Sequence, residues 1–330
     1  MRLETISIDG INDGGDWVSR QRIQFADGRT FFIDRLPGHR SAAAFDINDQ
    51  GTVIGESVWR FFSACHSDQE ATVWTVAGGT LGLDTHLGVP AADVASAIND
   101  HNEIVGMRSF SGRCGDYEAF YFSFDTREHI DLHALVTGGA YGGSEAHGIN
   151  DLGVVTGQWS DGVIGAAWTW SRAEGFTFLP GLEGGDPRDV RPSAISNDGE
   201  VVGAATTAAE GRRAFIWSEA GGMRDLNDLV ELPAGLVLDR ATRINDDGWI
   251  VGNGHWGAPA WGPAVGFVLI PRDGACRVDL DGDGELTFFD FLAFQNLFAA
   301  GDPRADFTGD GVLDFFDFLA FQNEFAAGCP

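Results

Sequence analysis

The chain has 330 residues, 44% of them hydrophobic, enough to bury a sizeable core and to hold more than one domain. Its formal net charge of -28 argues against nucleic acid and anionic membrane surfaces as partners and suits a protein that binds cations. All 21 basic residues are Arg, which excludes Schiff-base chemistry and a P-loop lysine.

No apolar run approaches the roughly 18 residues of a membrane-spanning helix. The opening stretch Met1-Arg2-Leu3-Glu4-Thr5-Ile6 lacks the apolar core of an export signal. From there the chain is written around one nonapeptide, clearest as Ile47-Asn48-Asp49-Gln50-Gly51-Thr52-Val53-Ile54-Gly55. Further copies begin at Ile11, Ile98, Ile149, Ile195 and Ile244, so the intervals are 36, 51, 51, 46 and 49 residues, the length of a four-stranded propeller blade. Each copy sets a polar turn between two apolar runs, as a β-hairpin requires. Its fifth residue is Gly15, Gly51, Gly153, Gly199 or Gly248, with Asn102 as the exception. These residue types tolerate a left-handed backbone.

An aromatic third strand follows in each later unit, such as Thr72-Val73-Trp74, Ala119-Phe120-Tyr121-Phe122 and Ala214-Phe215-Ile216-Trp217. A fourth is expected near Leu83-Asp84, Ile130-Asp131-Leu132, Phe176-Leu179 and Met223-Leu226. The pattern predicts an all-β propeller over residues 1–271, with six blades preferred over five or seven and the two chain ends joined at ring closure. The longer loops fall on one face, where ligand contacts usually sit. Arg60, Trp159, His255, Trp256 and Trp261, with neighbours such as Asp161 and Arg212, make a sugar-binding palette there through stacking and bidentate hydrogen bonds. Six carboxylates of the repeated turns ring the other face. Local turn bonding accounts for them, each carboxylate satisfying its own backbone.

With Ala119-Phe120, Ala214-Phe215, the Gly221-Gly222 turn, Asp225-Leu226 and the Ile-Asn-Asp-x-Gly turn, residues 1 to about 270 resemble the HAF family of extracellular repeats. The His that precedes Ala-Phe in that family is Glu118 or Arg213 here. The family brings no chemistry with it.

Composition changes after Pro271, and residues 272–330 read as a small all-α domain with two EF-hand-like loops 27 residues apart. Oxygen ligands at loop positions 1, 3, 5, 9 and 12 with Gly at position 6 suit calcium. Loop one offers Asp279, Asp281, Asp283, the Glu285 carbonyl, Thr287 and Asp290. Loop two offers Asp306, Thr308, Asp310, the Val312 carbonyl, Asp314 and Asp317. Two Ca2+ ions are expected, and they are expected to drive folding of this region. Each loop leads into Phe-Phe-Asp-Phe-Leu-Ala-Phe-Gln-Asn. The pairs Phe288-Phe289 and Phe315-Phe316 are expected to pack between the helices. The loops, the helical repeat and the closing Ala-Gly-Cys resemble a GC-type dockerin, which implies docking to a cohesin-like or other surface receptor.

Cys65 and Cys114 fall in equivalent loops of adjacent blades, while Cys276 and Cys329 bracket the tail. These pairings alone join near neighbours in the proposed fold, which points to disulfides and an extracellular or cell-surface location. No Cys-x-x-Cys marks a zinc site. No Ser-His-Asp order, His-Glu-x-x-His or spaced carboxylate pair stands out, so a binding protein is the first reading. The second is a polysaccharide-active enzyme, a glycoside hydrolase or lyase; the third is a purely structural surface protein.

Overall fold

The structure is a computed structural model. It describes residues 9–12, 14–59, 69–90, 92–109, 117–138, 142–207, 211–257, 263–271, 278, 280, 286–300, 302, 305, 307–308 and 312–327. The chain divides into two compact units, Met1–Leu269 and Ile270–Pro330.

The first unit is a six-bladed β-propeller. Blade one is β1 (Gly10–Ile11), β2 (Trp17–Ser19), β3 (Arg22–Gln24) and β4 (Thr30–Phe32). Blade two is β5 (Ser41–Ile47), β6 (Val53–Val58), β7 (Gln69–Thr75) and β8 (Gly79–Gly82), and blade three is β9 (Ala92–Ile98), β10 (Glu103–Ser109), β11 (Tyr117–Ser123) and β12 (His129–Asp131). Blade four is β13 (Gly143–Ile149), β14 (Val155–Ser160), β15 (Gly165–Ser171) and β16 (Gly175–Phe178). Blade five is β17 (Arg191–Ile195), β18 (Val201–Thr207), β19 (Gly211–Ser218) and β20 (Gly222–Asp225), and blade six has β21 (Leu236–Ile244), β22 (Ile250–Trp256) and β23 (Ala264–Leu269). Every sheet is an antiparallel meander of consecutive strands. Blade one completes its own sheet with strands of two or three residues, and the expected joining of the two chain ends at ring closure falls on residues 1–8, outside the described residues.

Strand alternation lets blades two to five bury both faces. Val201 and Phe215 pack toward blade four while Val202 and Ala214 pack toward blade six. Five such apolar layers fill the gaps between successive blades. Where the fourth strand ends in Asp-Leu, the Asp caps a short helix and the Leu plugs the core. Asp131 accepts from Ala134 N at 2.8 Å to open α1 (Leu132–Thr137), and Asp225 accepts from Asn227 N at 2.8 Å to open α2 (Leu226–Leu229).

Two features explain the repeated glycines. The left-handed turn position holds φ of 72–80° at Gly15, Gly51, Gly153, Gly199 and Gly248, and 53° at Asn102. Further on, the inner strands of blades two to six bulge at Phe45, Ser96, His147, Ser193 and Thr242, and blades three and six shift a second time at Asp93 and Asp239. The bulge drives a carbonyl against the second strand. A Cβ on Gly55, Gly106, Gly157, Gly203 or Gly252 would lie 1.9–2.3 Å from the oxygen of Ala43, Val94, Glu145, Arg191 or Arg240. Only glycine fits there.

The second unit holds α3 (Phe288–Ala300) and α4 (Phe315–Ala327). Phe294 and Phe321 stack at 4.4 Å in its core, with Phe307 edge-on. Phe288, Phe289, Phe315 and Phe316 do not join them. They are 64–67% exposed, because the inward face of each helix is set by Phe291, Phe294 and Phe298 and by Phe318, Phe321 and Phe325. No helix among the described residues is long and apolar enough to cross a membrane.

Candidate functional site

The innermost strands β1, β5, β9, β13, β17 and β21 surround one cavity of about 460 Å³ on the propeller axis. Its floor is the ring of repeated turns. In each turn the Asn folds back on its own hairpin: Asn48 Oδ1 accepts from Thr52 N at 2.9 Å, and Asn99, Asn150 and Asn245 repeat the contact at 2.7–2.9 Å. The same amide then crosses to the next blade. Nδ2 of Asn12, Asn48, Asn99 and Asn150 donates to the carbonyl of Asn48, Asn99, Asn150 and Ser196 at 2.9–3.0 Å. The Asp places form a second rung, in which Asp49, Asp100, Asp151 and Asn197 donate backbone N–H to the side-chain oxygen of the next blade's residue, each at 2.8 Å. The carboxylates of Asp100, Asp151 and Asp246 thus accept from a neighbouring blade's backbone, not from their own as expected. Burial pushes the Asp100 carboxyl up, and the charges of Asp151 and Asp49 add to this. Asn197, which stands where the others have Asp, donates from Nδ2 to Asp151 and Asp246 and separates their charges.

The walls of the cavity differ from blade to blade. Asp9, Asp46, His147, Ser193 and Arg243 bring ionisable or hydroxyl groups to it, where blade three brings Ala97. Burial raises the Asp46 carboxyl above the usual carboxylate range, against the opposing field of Arg243. Burial also lowers the His147 imidazole to about 4, helped by Arg240 and Arg191. His147 is therefore neutral at pH 7 and able to accept a proton or a hydrogen bond.

The residues singled out for sugar binding are not gathered here. Trp159 lies on β14 with its Nε1 buried and unpartnered, while His255 and Trp256 end β22 in another blade. His255 Nδ1 is 2.7 Å from Asp239 Oδ2. None of the three lines the cavity, and Arg60 and Trp261 lie outside the described residues. The signal that would have found the cavity was present: the residues just before each repeated Ile vary while the repeat around them does not.

In the second unit, Asp290 and Asp317 are completely buried. Asp290 accepts from Thr287 N at 2.8 Å, and Asp317 from Thr308 N and Asp314 N at 3.0 and 2.8 Å. Thr308 Oγ1 also donates to Asp317 Oδ1 at 3.0 Å, so positions 3 and 12 of loop two converge. Among the described residues no group of three or more His, Cys, Asp or Glu side chains that could hold a metal ion comes together. Val312 is 57% exposed. Asp279, Asp281, Asp283, Glu285, Asp306 and Asp310 lie outside the described residues, as do Cys65, Cys114, Cys276 and Cys329.

Residues 34–293 match the family described as Protein of unknown function (DUF3466). The chain belongs to the DUF3466 family. The DUF3466 match starts just after β4 and ends inside α3, so it takes in blades two to six. A comparison with curated proteins found no match. Among solved structures, an acylaminoacyl peptidase from Pyrococcus horikoshii is similar at 11% identity and a TM-score of 0.50, over 81% of this chain and 44% of that one. A protein assigned as TolB from Agrobacterium tumefaciens gives 11% identity and 0.46, over 67% and 79% of the two chains. Virginiamycin B lyase from Staphylococcus aureus gives 12% identity and 0.44, over 79% and 83%. At such identities likeness speaks to fold alone.

Proposed function

We propose that this DUF3466 protein is an extracellular or cell-surface binding protein, whose propeller holds a glycan in the axial channel and whose C-terminal unit anchors it to a cohesin-like or other receptor. The observation that carries the reading is the axial cavity, where five blades place polar or ionisable groups that differ from blade to blade. A purely structural wheel has no use for the variation.

The anchoring half rests on the resemblance of the tail to GC-type dockerins and on the convergence of Thr308 with Asp317. It also rests on two Phe pairs held out of the core on equivalent turns of α3 and α4. Calcium, when bound, neutralises the acidic loops. The residues offered to it are the two loop sets given above, with Asp290 and Asp317 closing each loop. Disulfides Cys65–Cys114 and Cys276–Cys329 belong to the same proposal.

A glycan array probed with the full chain tests the first half, and binding of no glycan defeats it. For the second, calcium added to metal-free protein is expected to raise the far-UV helix signal, with Asp290→Asn and Asp317→Asn each weakening the response. An unchanged spectrum at millimolar calcium rules the assignment out.

A further inference from the structure

The bulge glycines mark one equivalent inner-strand position per blade, occupied by Ala43, Val94, Glu145, Arg191 and Arg240 in blades two to six. Each stands four residues before the repeated Ile, on the side of the channel away from the turns. Two blades fill it with small or apolar residues, whereas the last two fill it with arginine. Arg240 reaches across to blade five, donating from Nε and Nη2 to Ser193 Oγ at 3.2 and 3.1 Å. Arg191 is pinned by neutral acceptors, donating from Nη1 to the carbonyls of Arg188 and Val190 at 2.6 and 3.1 Å.

These cations act on one another. After burial, Arg212 and Arg243 are the influences that lower the Arg240 pKa, and Arg240 and Arg191 those that lower His147. Five other arginines, Arg29, Arg108, Arg172, Arg188 and Arg213, each meet a carboxylate. Among the described residues Arg191, Arg212 and Arg240 form no such ion pair, in a chain whose net charge is -28. Crowding like charges together costs free energy that a bound anion recovers.

We infer that the channel mouth between blades five and six binds an oligosaccharide carrying carboxylates, held by Arg240 at the Ser193 hydroxyl and by Arg191, with Arg212 on β19 adding its charge. The inference rests on the ligand-binding reading above and names its ligand class. Planar guanidinium forks match carboxylates bidentately. Three of them on separate strands address several charges along an extended chain. The acidic remainder of the surface repels polyanions that cannot reach the axis.

Calorimetry of the full chain with trigalacturonate, and with its neutral methyl ester, tests this. Trigalacturonate binds, and Arg191→Gln and Arg240→Gln each weaken it about tenfold, the worth of a charge-assisted hydrogen bond. Arg240→Lys, which keeps the charge, retains part of the affinity. Arg29→Gln leaves it unchanged, and circular dichroism verifies that each variant is folded. Equal binding of the ester, or binding of other glycans from the array but not trigalacturonate, overturns the anionic class and leaves the glycan reading standing. Binding of inorganic phosphate alone overturns it as well. Failure of every glycan overturns both.

Discussion

The two ends of the axial channel are made by the same six strands and obey different rules. At the turn end, Asn and Asp recur because each does two jobs: it closes its own hairpin or rung and bonds to the next blade. Four residues earlier, the same strands carry Ala43, Val94, Glu145, Arg191 and Arg240, where nothing in the repeat constrains the side chain. Within one chain, then, sameness among copies marks what the wheel needs to close, and difference marks where it is free to recognise something.

The strongest way to break the comparison is to damage what is shared. Gly157→Val would set a Cβ 2.3 Å from Glu145 O and 2.5 Å from the Trp168 ring, so a loss of about 3 kcal/mol or more is expected in urea unfolding. Asn99→Ala removes both the hairpin contact to Glu103 N and the crossing to Asn150 O from a buried site. It should cost about 2–3 kcal/mol by the same measure.

Variable positions should behave otherwise, and His147 gives the comparison a sign. Its folded pKa of about 4 lies below the unfolded 6.5, so the folded state holds fewer protons between these values. The His147 contribution is therefore complete above pH 6.5 and is lost as pH falls toward 4, by at most about 3 kcal/mol. His147→Gln should flatten the melting temperature across that window relative to the parent. Asp46 runs the opposite way: its raised pKa means a penalty that grows as pH rises above the unfolded value of 3.8. Asp46→Asn should gain stability at pH 7 and lose the gain at pH 3. The smallest effect is reserved for Arg29→Ala at an exposed ion pair, where no resolvable change in melting temperature is expected.

Much of the wheel could be read from the residues. The left-handed Gly, the aromatic third strand and the interval between copies all describe contacts within a single blade, and local contacts leave local patterns. The crossing of Asn48 to Asn99 O spans 51 residues, and no spacing within one copy announces it. The bulge at His147 was hidden for a related reason: it shifts register by one residue, and its trace is the glycine on the neighbouring strand. Long loops drew attention to Trp159 and His255, while the cavity formed on the inner strands. In the second unit, helical spacing marked Phe288, Phe289, Phe315 and Phe316 as core. It could not separate Phe294 from Phe288, since the two differ only in which side of the helix faces its partner.

The belt of side-chain amides has an end. Ser196 carries no amide to hand onward, and among the described residues Asn245 makes no crossing to Asn12. Among the described residues no apolar layer joins blade six to blade one there either, and blade six shows three strands. With Ser196 interrupting the amide belt between blades five and six, hydrogen exchange is expected to begin in β21–β23 and travel backward toward blade five, well before the rest of the ring loosens.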